Sequence, residues 1–200
     1  MHWPDLHTPP EETAAALAEL VTEGKIRHAG VSNYDAQQMR ELAEFGRVET
    51  LQPPYHLLRR DIEQSILPYT AEHDIGVLVY GPLAHGLLSG RITEATTFAA
   101  ADWRSKSPDF TGETLHRKLA VVEPLKQVAQ QREFSLPQLA VAWTLANPAV
   151  HVAIVGARRP SQLAETAAAS GVELTASDLK EIDEVLEDAV PVWEPHPEGM

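Results

Sequence analysis

Cysteine is absent from the 200 residues. Its absence excludes disulfides and thiolate metal sites and fits a reducing compartment. Basic residues are scarce, with 16 Lys and Arg against 29 Asp and Glu and a net charge of -13. Nucleic-acid binding depends on neutralising phosphates, so this deficit argues against a nucleic-acid partner. No apolar run approaches the roughly 18 residues that a bilayer span needs, so no membrane partner is expected. The opening MHWPDLHTPP has neither a basic leader nor an apolar core, and no secretory signal is read there. These absences together lead us to expect a cytoplasmic protein. What is present is 44% hydrophobic and 22% charged, the profile of a globular chain, and the length predicts a single domain over 1–200.

There is no internal repeat. Instead, short β-branched runs alternate with amphipathic helical stretches, the pattern of a parallel sheet with crossover helices. Thr8-Pro9-Pro10-Glu11 reads as a capping box for a first helix, with Leu17, Leu20 and Val21 inward and Gly24 at its end. A strand is expected at about Ile26 to Val31. Asp35 with Gln38 opens a second helix facing inward through Met39, Leu42 and Ala43. A short strand follows at about Val48 to Gln52, then a helix around Asp61 to His73. Ile75 to Tyr80 reads as a strand buried on both faces. The polar stretch from about Ser89 to Gly112 is long enough to be either functional or disordered. Two helical segments follow, the first kinked at Pro124, the second opened by a capping box at Ser135–Gln138. The last strand is expected at about His151 to Val155, with helices from Ser161 and from Ser177 to Asp188. This makes four strand–helix units, whereas a closed barrel of this kind needs eight.

Five ordered segments resemble the aldo-keto reductase family: His2-Trp3-Pro4-Asp5; Gly30-Val31-Ser32-Asn33-Tyr34; Gln52 with Tyr55; Tyr80-Gly81-Pro82-Leu83-Ala84-His85-Gly86-Leu87-Leu88-Ser89-Gly90; and Gly156-Ala157-Arg158 with Gln162 and Glu165. The resemblance covers nearly the whole chain. It implies an α/β fold of the TIM (β/α)8 type, of which this chain would supply about the C-terminal half, strands five to eight with their helices and a terminal helix. It also implies NADPH as cofactor and a small-molecule aldehyde or ketone as substrate, with no metal. In the family the histidine matched by His2 hydrogen-bonds the substrate carbonyl, and Trp3 matches a residue at the substrate mouth. Ser32, Asn33 and Gln52 match side chains that hold the nicotinamide carboxamide, for which an amide's paired donor and acceptor are well suited. Tyr80 matches the tyrosine that stacks on the nicotinamide ring. Gly81, Pro82, Leu83 and Gly86 lie in a segment whose backbone approaches the pyrophosphate. Gly156 and Arg158 match the turn that meets the adenosine 2′-phosphate, and Gln162 and Glu165 match adenosine-side positions. The sequence departs from the pattern at Gly81, where many members have serine, at His85, where many have a basic or small residue, and at Thr166, where asparagine is common.

The family's proton-donating tyrosine, with its lysine and aspartate, lies on segments ahead of the HWPD motif. From this we expect a chain catalytically incomplete by itself, with exposed sheet edges that favour self-association. A second reading stays open, that of a non-catalytic NADPH-binding subunit or truncated pseudoenzyme.

Overall fold

In the computed structural model, residues 1–5, 7–187 and 189–191 are described. The chain divides into two compact units, the first made of Met1–Pro54, Asp61–Tyr80 and Asn147–Ile154 and the second of Tyr55–Arg60, Gly81–Ala146 and the described residues from Val155 onward.

The first unit is a four-stranded parallel sheet with three helices. Strands β1 (Gly30–Ser32), β2 (Thr50–Gln52), β3 (Gly76–Tyr80) and β4 (Val152–Ile154) lie side by side in chain order. Their register pairs Ser32 with Gln52, Thr50 with Gly76 and Tyr80 with Ile154. The helices are α1 (Pro10–Thr22), α2 (Ala36–Ala43) and α3 (Ile66–Glu72). The core gathers Val31, Met39, Leu42, Leu51, Tyr69 and Ile75. β3 buries Val77 and Val79 completely while Leu78 and Tyr80 stay half-buried, so it alternates and is not sealed on both faces as its unbroken apolar run suggests.

Several local expectations shift for identifiable reasons. The capping box at Thr8 does not form. Pro9 occupies the N-cap position, and the Thr8 hydroxyl donates instead to Asp5 Oδ2 at 2.7 Å. The other end of α1 follows the sequence: Gly24 takes a left-handed φ of 71°, and the N–H groups of Gly24 and Lys25 donate to Val21 and Leu20 carbonyls, a Schellman motif. Because Ile26 N–H also returns to Leu20, the chain there still belongs to the helix end, and β1 starts at Gly30 instead of Ile26. α3 begins at Ile66, after a 3-10 turn over Asp61–Glu63. Pro68 then falls in its first turn, where its missing N–H costs nothing. The Asp35–Gln38 capping box forms in both directions. Ala43, expected to face inward, is exposed. On α1, Leu17 and Leu20 are half-buried and Val21 is 40% exposed. Leu17 and Val21 line a concavity of about 350 Å³ with Ala29, Val31 and Val48.

The second unit holds α4 (Gly112–Gln131), α5 (Leu136–Ala146), α6 (Pro160–Ala167) and α7 (Ala176–Leu186). α4 continues through Pro124, and the Ser135–Gln138 capping box opens α5. α5 is apolar almost all round and buries Leu136, Leu139, Ala140, Val141, Ala142 and Trp143, as a central helix must. Arg132 near the end of α4 bridges Asp178 and Glu181 on α7 at 2.5 and 2.6 Å. Asp188, the expected end of the last helix, lies outside the described residues. The 89–112 stretch is folded, built around 3-10 turns at Trp103–Ser105 and Pro108–Phe110. Among the described residues no helix is long and apolar enough to cross a membrane, and no group of His, Asp or Glu could hold a metal.

Candidate functional site

Parallel strands deliver the residues at their C-terminal ends to one rim. In the first unit, β1 ends at Ser32, β2 at Gln52 and β3 at Tyr80. Asn33 follows β1 with a left-handed φ of 63°, a conformation that asparagine tolerates better than most residues. The Tyr80 hydroxyl donates to Asn33 Oδ1 at 2.7 Å. Asn33 Nδ2 donates to the His2 carbonyl at 3.0 Å and to Ser32 Oγ at 3.2 Å. Ser32 Oγ in turn donates to the Gln52 carbonyl at 2.7 Å, and Asn33 N–H reaches the same oxygen at 3.2 Å. Four of the residues singled out in the sequence therefore meet: Ser32, Asn33, Gln52 and Tyr80, with the His2 backbone beside them. Both Nδ2 hydrogens of Asn33 are used, which leaves one acceptor position on its Oδ1.

His2 itself is exposed, its ring 6.1 Å from that of half-buried Trp3. It lines an open concavity of about 370 Å³ with Met1, Gly30, Ser32, Thr50, Gln52 and Leu78. Tyr34, also in the quoted motif, is buried in the core, and burial together with the Asp5 carboxylate raises its phenol pKa.

In the second unit, Gly81 has φ 70°, Pro82 is buried and Leu83 is half-buried. Ala84, His85 and Gly86 then follow one another with φ of 47°, 53° and 102°. For residues with a Cβ this conformation costs about 1–2 kcal/mol each, so the turn needs support from outside itself. Burial, reinforced by the nearby charges of His56, Arg104 and Arg59, holds the His85 imidazole down from 6.5 to about 4. Its ring meets Trp103 edge-on at 4.9 Å. Trp103 packs edge-on against Phe110 at 5.5 Å, and Phe110 against Phe98 at 5.6 Å. Beside Phe110, Asp109 pairs with Lys118 of α4, a lysine buried completely.

Two residues in this cluster, Asp102 and Arg104, went unnoticed in the sequence. Asp102 accepts the Arg104 backbone N–H and caps the turn that carries it. The Arg104 side chain also grips that carboxylate, at 3.0 Å from Nε and 2.6 Å from Nη2, and holds it at about 2. The available signal was an Asp two residues before an Arg, within a cluster of aromatics.

The remaining matched residues follow β4. Gly156 and Arg158 are exposed, and Gln162 and Glu165 are half-buried on α6. Gln162 Oε1 accepts the Arg158 backbone N–H at 3.0 Å, so its side chain already closes the turn that opens α6. Thr166 is buried and returns its hydroxyl to the Gln162 carbonyl, a bond internal to α6.

The strand rim is thus one connected polar cluster, and in the left-handed turn the N–H groups of Ala84 and Gly86 return to the Gly81 and Leu83 carbonyls at 2.9 Å. Comparison with known proteins identifies the family. The Aldo/keto reductase family matches over residues 1–187. Aldo-keto reductase YhdN of Bacillus subtilis is 40% identical over 95% of this chain and 58% of its own length. An NADH-specific methylglyoxal reductase of Escherichia coli is 34% identical over 93% of this chain, again 58% of its own length. Among solved structures, the glycerol dehydrogenase AKR11B4 from Gluconobacter oxydans superposes with a TM-score of 0.89 at 39% identity, covering the whole of this chain and 60% of that one. The chain thus spans less than two thirds of the length of each relative, and by motif, sequence and strand-end geometry it belongs to the aldo/keto reductase family.

Proposed function

We propose that this chain carries the nicotinamide-dinucleotide grip of a carbonyl oxidoreductase that uses NADPH. The observation behind this is the rim network, in which residues at three strand ends, Asn33, Gln52 and Tyr80, are tied together by Ser32 and the His2 carbonyl. In this reading Ser32, Asn33 and Gln52 bind the carboxamide, and the open acceptor position on Asn33 Oδ1 takes its NH2 group. Tyr80 supplies an aromatic face to the ring. Gly81, Pro82, Leu83 and Gly86 form the turn against which the pyrophosphate lies. Gly156 and Arg158 take the 2′-phosphate, with charge-assisted bonds from the guanidinium, and Gln162 and Glu165 serve the adenosine side. His2 donates a ring N–H toward the substrate carbonyl oxygen, with Trp3 at the substrate mouth. The cofactor, when bound, supplies the hydride that a small aldehyde or ketone accepts.

The direct test is a fluorescence titration of the purified chain with NADPH and with NADH, repeated with Arg158→Ala. Binding of NADPH, weakened in the variant while NADH is unaffected, supports the assignment. Equal affinity for the two cofactors removes the role given to Arg158, and tighter binding of NADH would align the chain with the NADH-specific E. coli relative. Addition of a reactive aldehyde then separates an active reductase from a cofactor-binding chain without turnover. We also propose that the outer edge of β4, the last strand of the sheet, supports self-association. A monomer in sedimentation at working concentration would refute that point.

A further inference from the structure

We propose that Arg104 is a positioning residue, whose guanidinium holds the left-handed Ala84–Gly86 turn in the shape that receives the cofactor's phosphates. This rests on the cofactor reading above. The turn contains two residues with a Cβ at positive φ, Ala84 and His85, a conformation that persists only where surrounding structure imposes it. Arg104 provides the constraint. Its Nη1 donates to the His85 carbonyl at 2.9 Å, fixing the peptide that joins His85 to Gly86.

That nitrogen is itself fixed. Nε and Nη2 fork onto the Asp102 carboxylate, and the guanidinium carbon lies 4.3 Å from the centroid of the Phe98 ring. A planar cation with several N–H groups at set angles can satisfy a carboxylate, a carbonyl and a ring face together, which a lysine ammonium does not. A Cβ built on Gly86 would stand 3.4 Å from Arg104 Nη1, so the guanidinium occupies the space into which a side chain at this position would project. The segment that carries Arg104 is anchored in turn. Asp102 caps it, and Trp103 packs on Phe110, whose neighbour Asp109 pairs with buried Lys118. The 98–118 stretch is therefore a brace, and Arg104 is its point of contact with the turn's backbone.

An alternative cause of any effect on phosphate binding is the arginine's charge alone, and Asp102→Asn separates the two. It keeps Arg104 and removes a negative charge, so a purely electrostatic role predicts tighter binding. The positioning role predicts weaker binding, because the fork is lost. The experiment measures NADPH affinity by fluorescence and amide exchange of residues 83–88 by mass spectrometry, on the wild-type chain and on Asp102→Asn, Arg104→Met and Arg104→Lys. We expect Arg104→Met to raise Kd about tenfold, with Arg104→Lys and Asp102→Asn raising it about fivefold. Amides in the turn of the free protein should exchange faster in all three. Should Arg104→Met fail to fold, the other two variants carry the test. Tighter binding in Asp102→Asn, full recovery of Kd in Arg104→Lys, or unchanged exchange in the turn would each overturn the positioning role. A wild-type chain that binds neither NADPH nor NADH would instead overturn the cofactor reading, with the exchange data still reporting whether the brace exists.

Discussion

At the strand rim of the first unit, polar side chains hold one another: Tyr80 to Asn33, Asn33 to Ser32, Ser32 to the Gln52 carbonyl. In the 81–90 turn of the second unit, the backbone is held by a side chain 19 residues further on, which is itself anchored by a carboxylate, an aromatic cluster and a buried ion pair. The first arrangement suits recognition by side chains that can exchange an internal bond for one to a ligand. The second suits recognition by backbone, which has no side chain to adjust and must be shaped beforehand. The two regions should therefore respond differently to substitution.

The largest difference is expected at Lys118. Lys118→Met leaves the Asp109 carboxylate, only 20% exposed, without its cation. Breaking such a pair costs about 3 kcal/mol, a fall of roughly 6–12 °C in Tm for a chain of this size. Asp109→Asn added to Lys118→Met should recover part of the loss, because the uncompensated charge is then gone. A melting temperature within about 2 °C of wild type for Lys118→Met would mean that the brace is no better anchored than the rim.

Next comes the pH response of the turn. The imidazole of His85 has its pKa held at about 4 in the folded chain against an ordinary 6.5. Between those values the unfolded chain binds a proton that the folded chain does not. Stability is therefore fully present above about pH 6.5 and declines as the pH falls toward 4, by up to roughly 3 kcal/mol. His85→Asn removes the titration, and asparagine tolerates the left-handed backbone. Denaturant midpoints at pH 7 and pH 4.5 should differ more for the wild type than for His85→Asn. The lowered carboxylates, Asp102 among them at about 2, act in the same direction but at lower pH. An equal acid response in the two proteins would show that His85 protonates freely in the folded chain and that the turn is loose.

These expectations also explain how much could be read from the sequence. The four strands, their alternation with helices and the Asp35 cap were legible because each is encoded within a few neighbouring positions. Asn33 and Tyr80 enter the rim network through their side chains, where residue type is informative, whereas Gln52 enters it through its backbone carbonyl. The brace was not legible, since Arg104 acts on another residue's carbonyl and its partners are scattered from Phe98 to Lys118. The stretch from Ser89 to Gly112 reads as polar and aperiodic, with no signal that its aromatics meet. The exposed face of α1 escaped for a different reason. Apolar periodicity identifies a face to be covered, and Leu17 and Val21 carry that periodicity whether or not this chain covers them.

A smaller effect, of about 2 kcal/mol, is expected at Asn33. Asn33→Ala loses the hydroxyl of Tyr80 as a partner and puts a poorly suited residue at φ 63°; strain and lost bonding each contribute about 1 kcal/mol. Asn33→Gly removes the bonding but not the conformational fit, and should be the milder change. Equal losses in the two variants would show that the side chain's bonds, and not its backbone geometry, make the position demanding.

Tyr80→Phe should cost least, about 1 kcal/mol, because it deletes the hydrogen bond to Asn33 and keeps the ring. The Asn33 Oδ1 atom it abandons can be met by solvent at the half-buried rim. A cycle with Asn33→Gly should assign most of that cost to the pair, with Tyr80→Phe nearly neutral once Asn33 is gone. A loss above about 2 kcal/mol with weak coupling would mean that the Tyr80 hydroxyl is held by more than Asn33. The rim would then be as rigidly braced as the turn, and the contrast between an adjustable rim and a fixed turn would lose its physical basis.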